Sequence, residues 1–130
     1  MRCPEPRVTS LAPQFLVDDL DRAIAWDRDV LGFAFDEPWG GFYAIGRLHR
    51  GMEVHLKHAP KNQAERDHRR DNGHLDAYAG IEGIEAFHEQ CVTRGARILK
   101  ALAPTAWGTK DFYVADPEGY VIGFGEIVIR

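Results

Sequence analysis

Two kinds of hydrophobic pattern alternate along this chain of 130 residues, and they occur in the same order twice. The first half begins with a strand pattern, SLAPQFLV, followed by an amphipathic helix pattern, DDLDRAIAWDRDVLGF. Asp18 or Asp19 is the expected N-cap of this helix, and Gly32 is its expected end. Its apolar stripe comprises Leu20, Ala23, Ile24, Val30 and Leu31. Three strands are then predicted from FAFDE, GFYAIGRLH and GMEVHLKH.

The second half repeats this order after a polar connection that contains Arg69 and Arg70 and several acidic residues. GHLDAYAG predicts a strand, and IEGIEAFHEQCVTRGA predicts a helix that ends at Gly95. Three more strands are predicted from RILKALA, KDFYVAD and EGYVIGFGEIVI. A βαβββ unit used twice predicts an α+β fold in which the two units pack together, because each alone would leave one face of its sheet uncovered.

These patterns predict a single domain at residues 11–128, preceded by an N-terminal tail at residues 1–10. Within the domain we expect two modules of the same design and a loop between them. They are module one (11–58), the connecting loop (59–73) and module two (74–128).

Composition and charge narrow the class of partner. Charged residues make up 28% of the chain and hydrophobic residues 45%, as in soluble globular domains. The net charge of -4 argues against nucleic acid, because phosphate binding needs a surplus of Lys and Arg. No apolar run is long enough to span a bilayer, and MRCPEPRVTS lacks the apolar core of a signal peptide. We therefore expect a cytoplasmic protein without a nucleic-acid or membrane partner.

Strand alternation assigns each side chain of the sheets to one of two faces. In the last strand it directs Ile122 and Phe124 toward the helices, and Gly123 and Gly125 toward a cavity. Glycine weakens a strand and is tolerated where a ligand comes close to the backbone. The two glycines therefore predict cleared space, that is, room for a ligand beside this strand. Leu75 is expected on the helix side. The other residues expected on the cavity face are Gln14, Leu16, Glu53, His55, Lys57, His74, Asp76 and Tyr78.

Three stretches of the sequence carry a resemblance to a known family. They are DVLGF after the first helix, GHLDAYAGI before the second, and DFYVADPEGYVIGF with its Asp116-Pro117-Glu118-Gly119 turn. With them the chain resembles the vicinal oxygen chelate superfamily, which includes glyoxalase I, fosfomycin-resistance proteins, extradiol dioxygenases and bleomycin-resistance proteins. The resemblance covers residues 11–128 and implies curved mixed sheets around a cavity, with the helices outside. It also implies a homodimer, because members commonly pair.

Metal-using members of this superfamily take ligands from four equivalent strand positions, which correspond here to Ala12, His55, His74 and Gly123. Only the two histidines could bind a metal, whereas a catalytic divalent site normally has about three protein ligands. The resemblance therefore implies no metal cofactor. The alternative is a divalent ion such as Zn, Ni, Mn or Fe, held by His55 and His74 with Glu53 or Asp76.

The pattern is most similar to bleomycin-resistance proteins, which carry a similar WG shortly before the final hairpin, here at Trp107. This implies a metal-independent protein that binds a small aromatic or partly cationic molecule and sequesters it. The alternative function is a metal-dependent lyase or isomerase of the glyoxalase type, or a dioxygenase, with a non-standard metal site. No catalytic residue is assigned. The expected ligand-binding residues are Gln14, Glu53, His55, His74, Asp76, Trp107, Tyr113 and Gly123.

Overall fold

A computed structural model describes residues 6–7, 9–59 and 75–128 of the chain. Most of the connecting loop, together with His74, lies outside the described residues, as does most of the N-terminal tail. The predictions for Arg69, Arg70 and His74 therefore concern a part of the chain that the structure does not describe.

Each module contains one strand, one helical segment and three further strands, in the order that the sequence predicts. Module one comprises β1 (Gln14–Val17), α1 (Leu20–Trp26), a π-helical turn (Asp27–Leu31), β2 (Ala34–Phe35), β3 (Tyr43–Leu48) and β4 (Met52–His58). Module two comprises β5 (Ala77–Gly80), α2 (Ile84–Thr93), β6 (Arg97–Pro104), β7 (Thr109–Ala115) and β8 (Val121–Ile127). The predicted element order is confirmed, with boundaries that differ by a few residues.

The strands form two four-stranded mixed sheets of matching topology. Sheet one has the order β1-β4-β3-β2 and sheet two the order β5-β8-β7-β6. In both sheets the first strand of the module pairs parallel with the last, and the remaining pairs are antiparallel. The predicted α+β fold of two βαβββ modules is confirmed, and the sheets are open.

Local sequence explains how the first helical segment begins and ends, and a carboxylate distant in sequence caps the second helix. The side chain of Asp19 accepts a hydrogen bond from the backbone N–H of Arg22, which satisfies a donor in the first turn of α1. The π-helical turn ends at Gly32, whose φ of 97° lies in the left-handed region that favours glycine. At α2 the carboxylate of Glu126 accepts hydrogen bonds from the backbone N–H groups of Gly83 and Ile84.

One hydrophobic core joins the two modules. The rings of Phe15 in β1 and Tyr120 before β8 stack with centroids 4.3 Å apart, and the Tyr120 hydroxyl donates to the Leu16 carbonyl at 2.7 Å. The buried carboxylate of Glu118 accepts from the Asp18 backbone N–H at 2.8 Å and pairs with Arg22. The final hairpin is thereby fixed to the beginning of module one.

Four of the side chains predicted to face the helices are confirmed as core residues. Val54 and Leu56 of β4 and Ile122 and Phe124 of β8 are all buried in the core. Cys91 of α2 is also buried there, and burial raises the pKa of its thiol to about 11. A thiol with this pKa stays protonated at neutral pH, so Cys91 acts as a small hydrophobic residue.

Candidate functional site

A cavity of about 750 Å³ lies where the segment before β1, the turn between β3 and β4, and strand β5 meet. Most of its lining is apolar, and the Lys and Arg side chains of the described residues are not part of it. Its charged residues are the three carboxylates Glu53, Asp76 and Glu82. The remaining lining residues are Leu11, Ala12, Pro13, Leu48, His49, Gly51, Met52, Ala77, Tyr78, Ala79, Gly80, Ile81 and Phe124.

Beside this cavity, a chain of hydrogen bonds crosses the face of sheet one that points away from the helices. Gln14 donates from Nε2 to the Tyr43 hydroxyl at 3.0 Å, and that hydroxyl lies 2.7 Å from His55 Nδ1. His55 Nε2 lies 3.2 Å from Glu53 Oε2, and Arg47 pairs with the other oxygen of Glu53 at 3.2 Å. Glu53 therefore connects this network to the cavity.

The hydrogen bonds of His55 bear directly on metal binding. Both ring nitrogens are engaged, Nδ1 with Tyr43 and Nε2 with Glu53, so neither nitrogen can bind an ion without breaking one of these hydrogen bonds. Among the described residues there is no group of three or more His, Cys, Asp or Glu side chains that could hold a metal. Asp76 is also occupied, because its Oδ2 accepts from the Val121 backbone N–H at 2.8 Å. His74, the second histidine of the candidate metal set, lies outside the described residues.

On sheet two, the face that points away from the helices carries an aromatic cluster. Lys100 Nζ lies 4.8 Å from the ring centroid of Tyr113 and 6.0 Å from that of Trp107, within the range of cation–π attraction. Trp107 is 68% exposed, so it does not close a hydrophobic cluster under its loop. Its indole ring is accessible to a partner.

The structure corrects the prediction that Gly123 and Gly125 leave cleared space. A Cβ at Gly123 would lie 2.8 Å from Leu75 Cδ1 and 3.1 Å from the Tyr113 ring. A Cβ at Gly125 would overlap the Tyr78 hydroxyl and the Asp111 carboxylate. Protein side chains from neighbouring segments therefore fill both places.

Leu75 was predicted on the helix side, and that prediction is wrong. Its side chain reaches over Gly123, on the opposite face of the sheet. The physical reason is that β5 begins only at Ala77, so Leu75 precedes the regular strand and does not follow its alternation.

Gly125 makes room for a hydrogen bond between two side chains of sheet two. The Tyr78 hydroxyl donates to Asp111 Oδ1 at 3.0 Å, and the side chain of Asp111 is almost fully buried. Burial, followed by the hydrogen bond to Asp111, raises the pKa of Tyr78 above its ordinary value of 10.0. The phenol consequently remains protonated and continues to donate at neutral pH.

The residues predicted to bind the ligand fall into separate groups. Glu53 and Asp76 line the cavity, and Gln14 and His55 lie on the adjoining face of sheet one. Trp107, Tyr113 and Gly123 belong to sheet two and its loop, and His74 lies outside the described residues.

Three side chains that shape these groups were not predicted from the sequence. Tyr43 connects Gln14 to His55, Lys100 contacts the aromatic rings, and Asp111 accepts from Tyr78. Alternation could have identified Asp111, because its neighbour Phe112 is a core residue and Asp111 must point the opposite way.

The fold agrees with a comparison to protein families. The model of the Glyoxalase/Bleomycin resistance protein/Dioxygenase superfamily matches residues 9–124. The chain therefore belongs to this superfamily. A search of curated proteins finds no significant match. None of the helices in the described part of the chain is long and apolar enough to cross a membrane.

Several solved structures share the fold at low sequence identity. TioX from Micromonospora sp. ML1 is 19% identical with a TM-score of 0.74, over 93% of this chain and 100% of that one. TnmS3, an antibiotic binding protein from Streptomyces sp. CB03234, is 18% identical with a TM-score of 0.68, over 94% and 99%. FosX, a fosfomycin resistance protein from Listeria monocytogenes crystallised with Mn(II) and 1S,2S-dihydroxypropylphosphonic acid, is 16% identical with a TM-score of 0.65, over 91% and 90%.

Proposed function

We propose that this chain is a metal-independent small-molecule binding protein that sequesters its ligand, as drug-binding members of the superfamily do. The observation that carries the proposal is the cavity of about 750 Å³, whose lining is mostly apolar and whose charged side chains, among the described residues, are all carboxylates. Cavities that hold drug-sized molecules are of this size and combine an apolar lining with a few polar groups. The antibiotic binding protein TnmS3, which shares the fold, supports this class of function.

The lining favours an amphipathic ligand that is neutral or positively charged. Leu48, Met52 and Phe124 offer apolar surface to its body. Asp76 and Glu82 add negative charge, and this negative charge opposes an anion. Glu53 contributes less net charge because Arg47 pairs with it.

Metal independence is part of the proposal, and the contacts of His55 support it. Its two ring nitrogens already bond to Tyr43 and Glu53, and Gly123 stands where metal-using relatives carry a carboxylate. A metal would have to break the bonds of His55 and still lack a ligand from β8. Elemental analysis of tag-free protein tests this part; stoichiometric metal lost in His55→Ala would contradict it.

We also propose that the protein is a cytoplasmic homodimer. Large hydrophobic side chains are exposed at several places, among them Trp39, Phe42 and Ile127, and a partner subunit would cover such surface. Light scattering coupled to size-exclusion chromatography would show a mass twice that of the 14.7 kDa chain. A monomeric mass at micromolar concentration would contradict the dimer.

A thermal-shift screen tests the ligand proposal. Metal-stripped protein is heated with amphipathic amines, aromatic antibiotics and anionic compounds, since a ligand that binds the folded state raises the melting temperature. Gly80→Leu serves as the cavity-filling variant, because Gly80 lines the cavity and a Cβ there meets open space. Ala101→Leu adds a similar side chain at an exposed position outside the cavity lining. Stabilisation by amines that Gly80→Leu alone abolishes would support the proposal, and stabilisation by anions alone would contradict it.

A further inference from the structure

The buried carboxylate of Asp111 has one oxygen without a hydrogen-bond partner among the described residues. Asp111 is 1% exposed, its Oδ1 accepts from the Tyr78 hydroxyl at 3.0 Å, and its Oδ2 has no partner. A buried carboxylate oxygen that lacks a donor is costly, and most such oxygens in folded proteins are satisfied. Oδ2 thus has an unused capacity to accept a hydrogen bond.

The surroundings of Asp111 suit a ligand with an N–H donor. Tyr113 lies on the same strand and face, and the Tyr113 and Trp107 rings already hold the ammonium of Lys100. These aromatic faces attract organic cations.

Tyr78 connects Asp111 to the cavity. It lines the cavity and is 49% exposed, and its hydroxyl covers the Asp111 carboxylate. Exposed side chains change rotamer on the picosecond to nanosecond timescale. Asp111 itself is not among the residues that line the cavity, and a molecule there would reach its carboxylate only after Tyr78 rotates.

We propose that Asp111 is a binding subsite for the protonated amine or amidine of a ligand, reached from the cavity when Tyr78 moves aside. The inference rests on the proposed function and specifies its ligand class. The cationic group donates a hydrogen bond to Asp111 Oδ2, and Tyr78 and Tyr113 contact the ligand's apolar part. Asp111 is a recognition residue, and Tyr78 competes with the ligand for the carboxylate.

The test uses benzylammonium as the probe and benzyl alcohol as its neutral counterpart, titrated at millimolar concentrations and monitored by NMR. Wild-type protein should prefer benzylammonium, and Asp111→Asn should weaken benzylammonium binding by about tenfold or more, because a charge-assisted hydrogen bond is lost. Tyr78→Phe should bind benzylammonium about fivefold more tightly, because the competing hydroxyl is removed while the ring remains. Asp29→Asn, which removes the same charge from an exposed position, should retain the wild-type preference.

The results separate this inference from the proposed function. If Asp111→Asn binds benzylammonium as tightly as the wild type, or Tyr78→Phe binds it less tightly, the subsite is overturned. Binding of both probes without dependence on Asp111 leaves the proposed function intact. Binding of neither probe overturns the subsite, and the broader thermal-shift screen then decides the proposed function.

Discussion

The hydroxyl of Tyr78 lies so close to the backbone of Gly125 that no side chain could stand between them. Tyr78 extends from β5 over β8, the neighbouring strand, and its hydroxyl reaches the carboxylate of Asp111 on β7. The absence of a side chain at Gly125 therefore allows the contact between Tyr78 and Asp111, which spans three strands.

Replacing Gly125 with Ala should break this contact. The added methyl group would displace Tyr78 and leave both oxygens of Asp111 without a donor, so the free energy of unfolding should fall by about 1–3 kcal/mol. Urea denaturation monitored by circular dichroism measures it. Gly80→Ala is the matched control, because its Cβ meets open space on β5. Equal stability of the two variants would contradict the contact.

Glu118 should stabilise the junction of the two modules. Glu118→Ala leaves the Asp18 backbone N–H and the Arg22 guanidinium without their buried partner, and we expect a loss of about 2–4 kcal/mol in unfolding free energy. Arg22→Ala should cost less, because the side chain of Arg22 is half exposed and Glu118 retains its backbone donor. Denaturant titration of both variants gives the comparison. A larger loss in Arg22→Ala would show that the ion pair dominates.

Stability should decrease as the pH rises toward neutrality. Burial raises the pKa of Asp116 from 3.8 to about 7, although hydrogen bonds from the backbone of Tyr120 and Glu118 lower it. Burial, followed by the charge of Asp116, raises the pKa of Asp27 well above its usual range. Both groups bind protons more tightly in the folded state, so protonation of each stabilises the fold. The contribution of Asp116 is complete below pH 3.8 and is lost as the pH rises through about 7, and Asp27 acts in the same direction.

The pH effect can be measured as the free energy of unfolding in a series of buffers across that range. Asp27→Asn should flatten the profile, since it removes one buried carboxylate and its repulsion of Asp116. A wild-type protein whose stability rises over the same interval would show that other groups control it.

The fold was predictable because strand alternation and helix periodicity repeat in the two modules. The pattern in EGYVIGFGEIVI correctly directed Ile122 and Phe124 into the core, and the pattern in GMEVHLKH did the same for Val54 and Leu56. Strand alternation determines only the face of the sheet on which a side chain lies. It says nothing about which neighbouring side chain reaches across that face.

This limit explains the error at Gly123 and Gly125. Their places are filled by Leu75, Tyr78 and Tyr113, whose positions depend on the pairing of β5 and β7 with β8. The hydrogen bond between Tyr43 and His55 depends in the same way on the register of β3 against β4, which the sequence does not specify.

The most direct test of the central claim is calorimetric titration of metal-stripped protein, kept in a chelator, with the amphipathic amine that stabilises it most in the screen. We expect binding of one molecule per cavity, unchanged by the chelator, abolished in Gly80→Leu and retained in Ala101→Leu. Binding that appears only after a divalent ion is added, or that survives in Gly80→Leu, would contradict it.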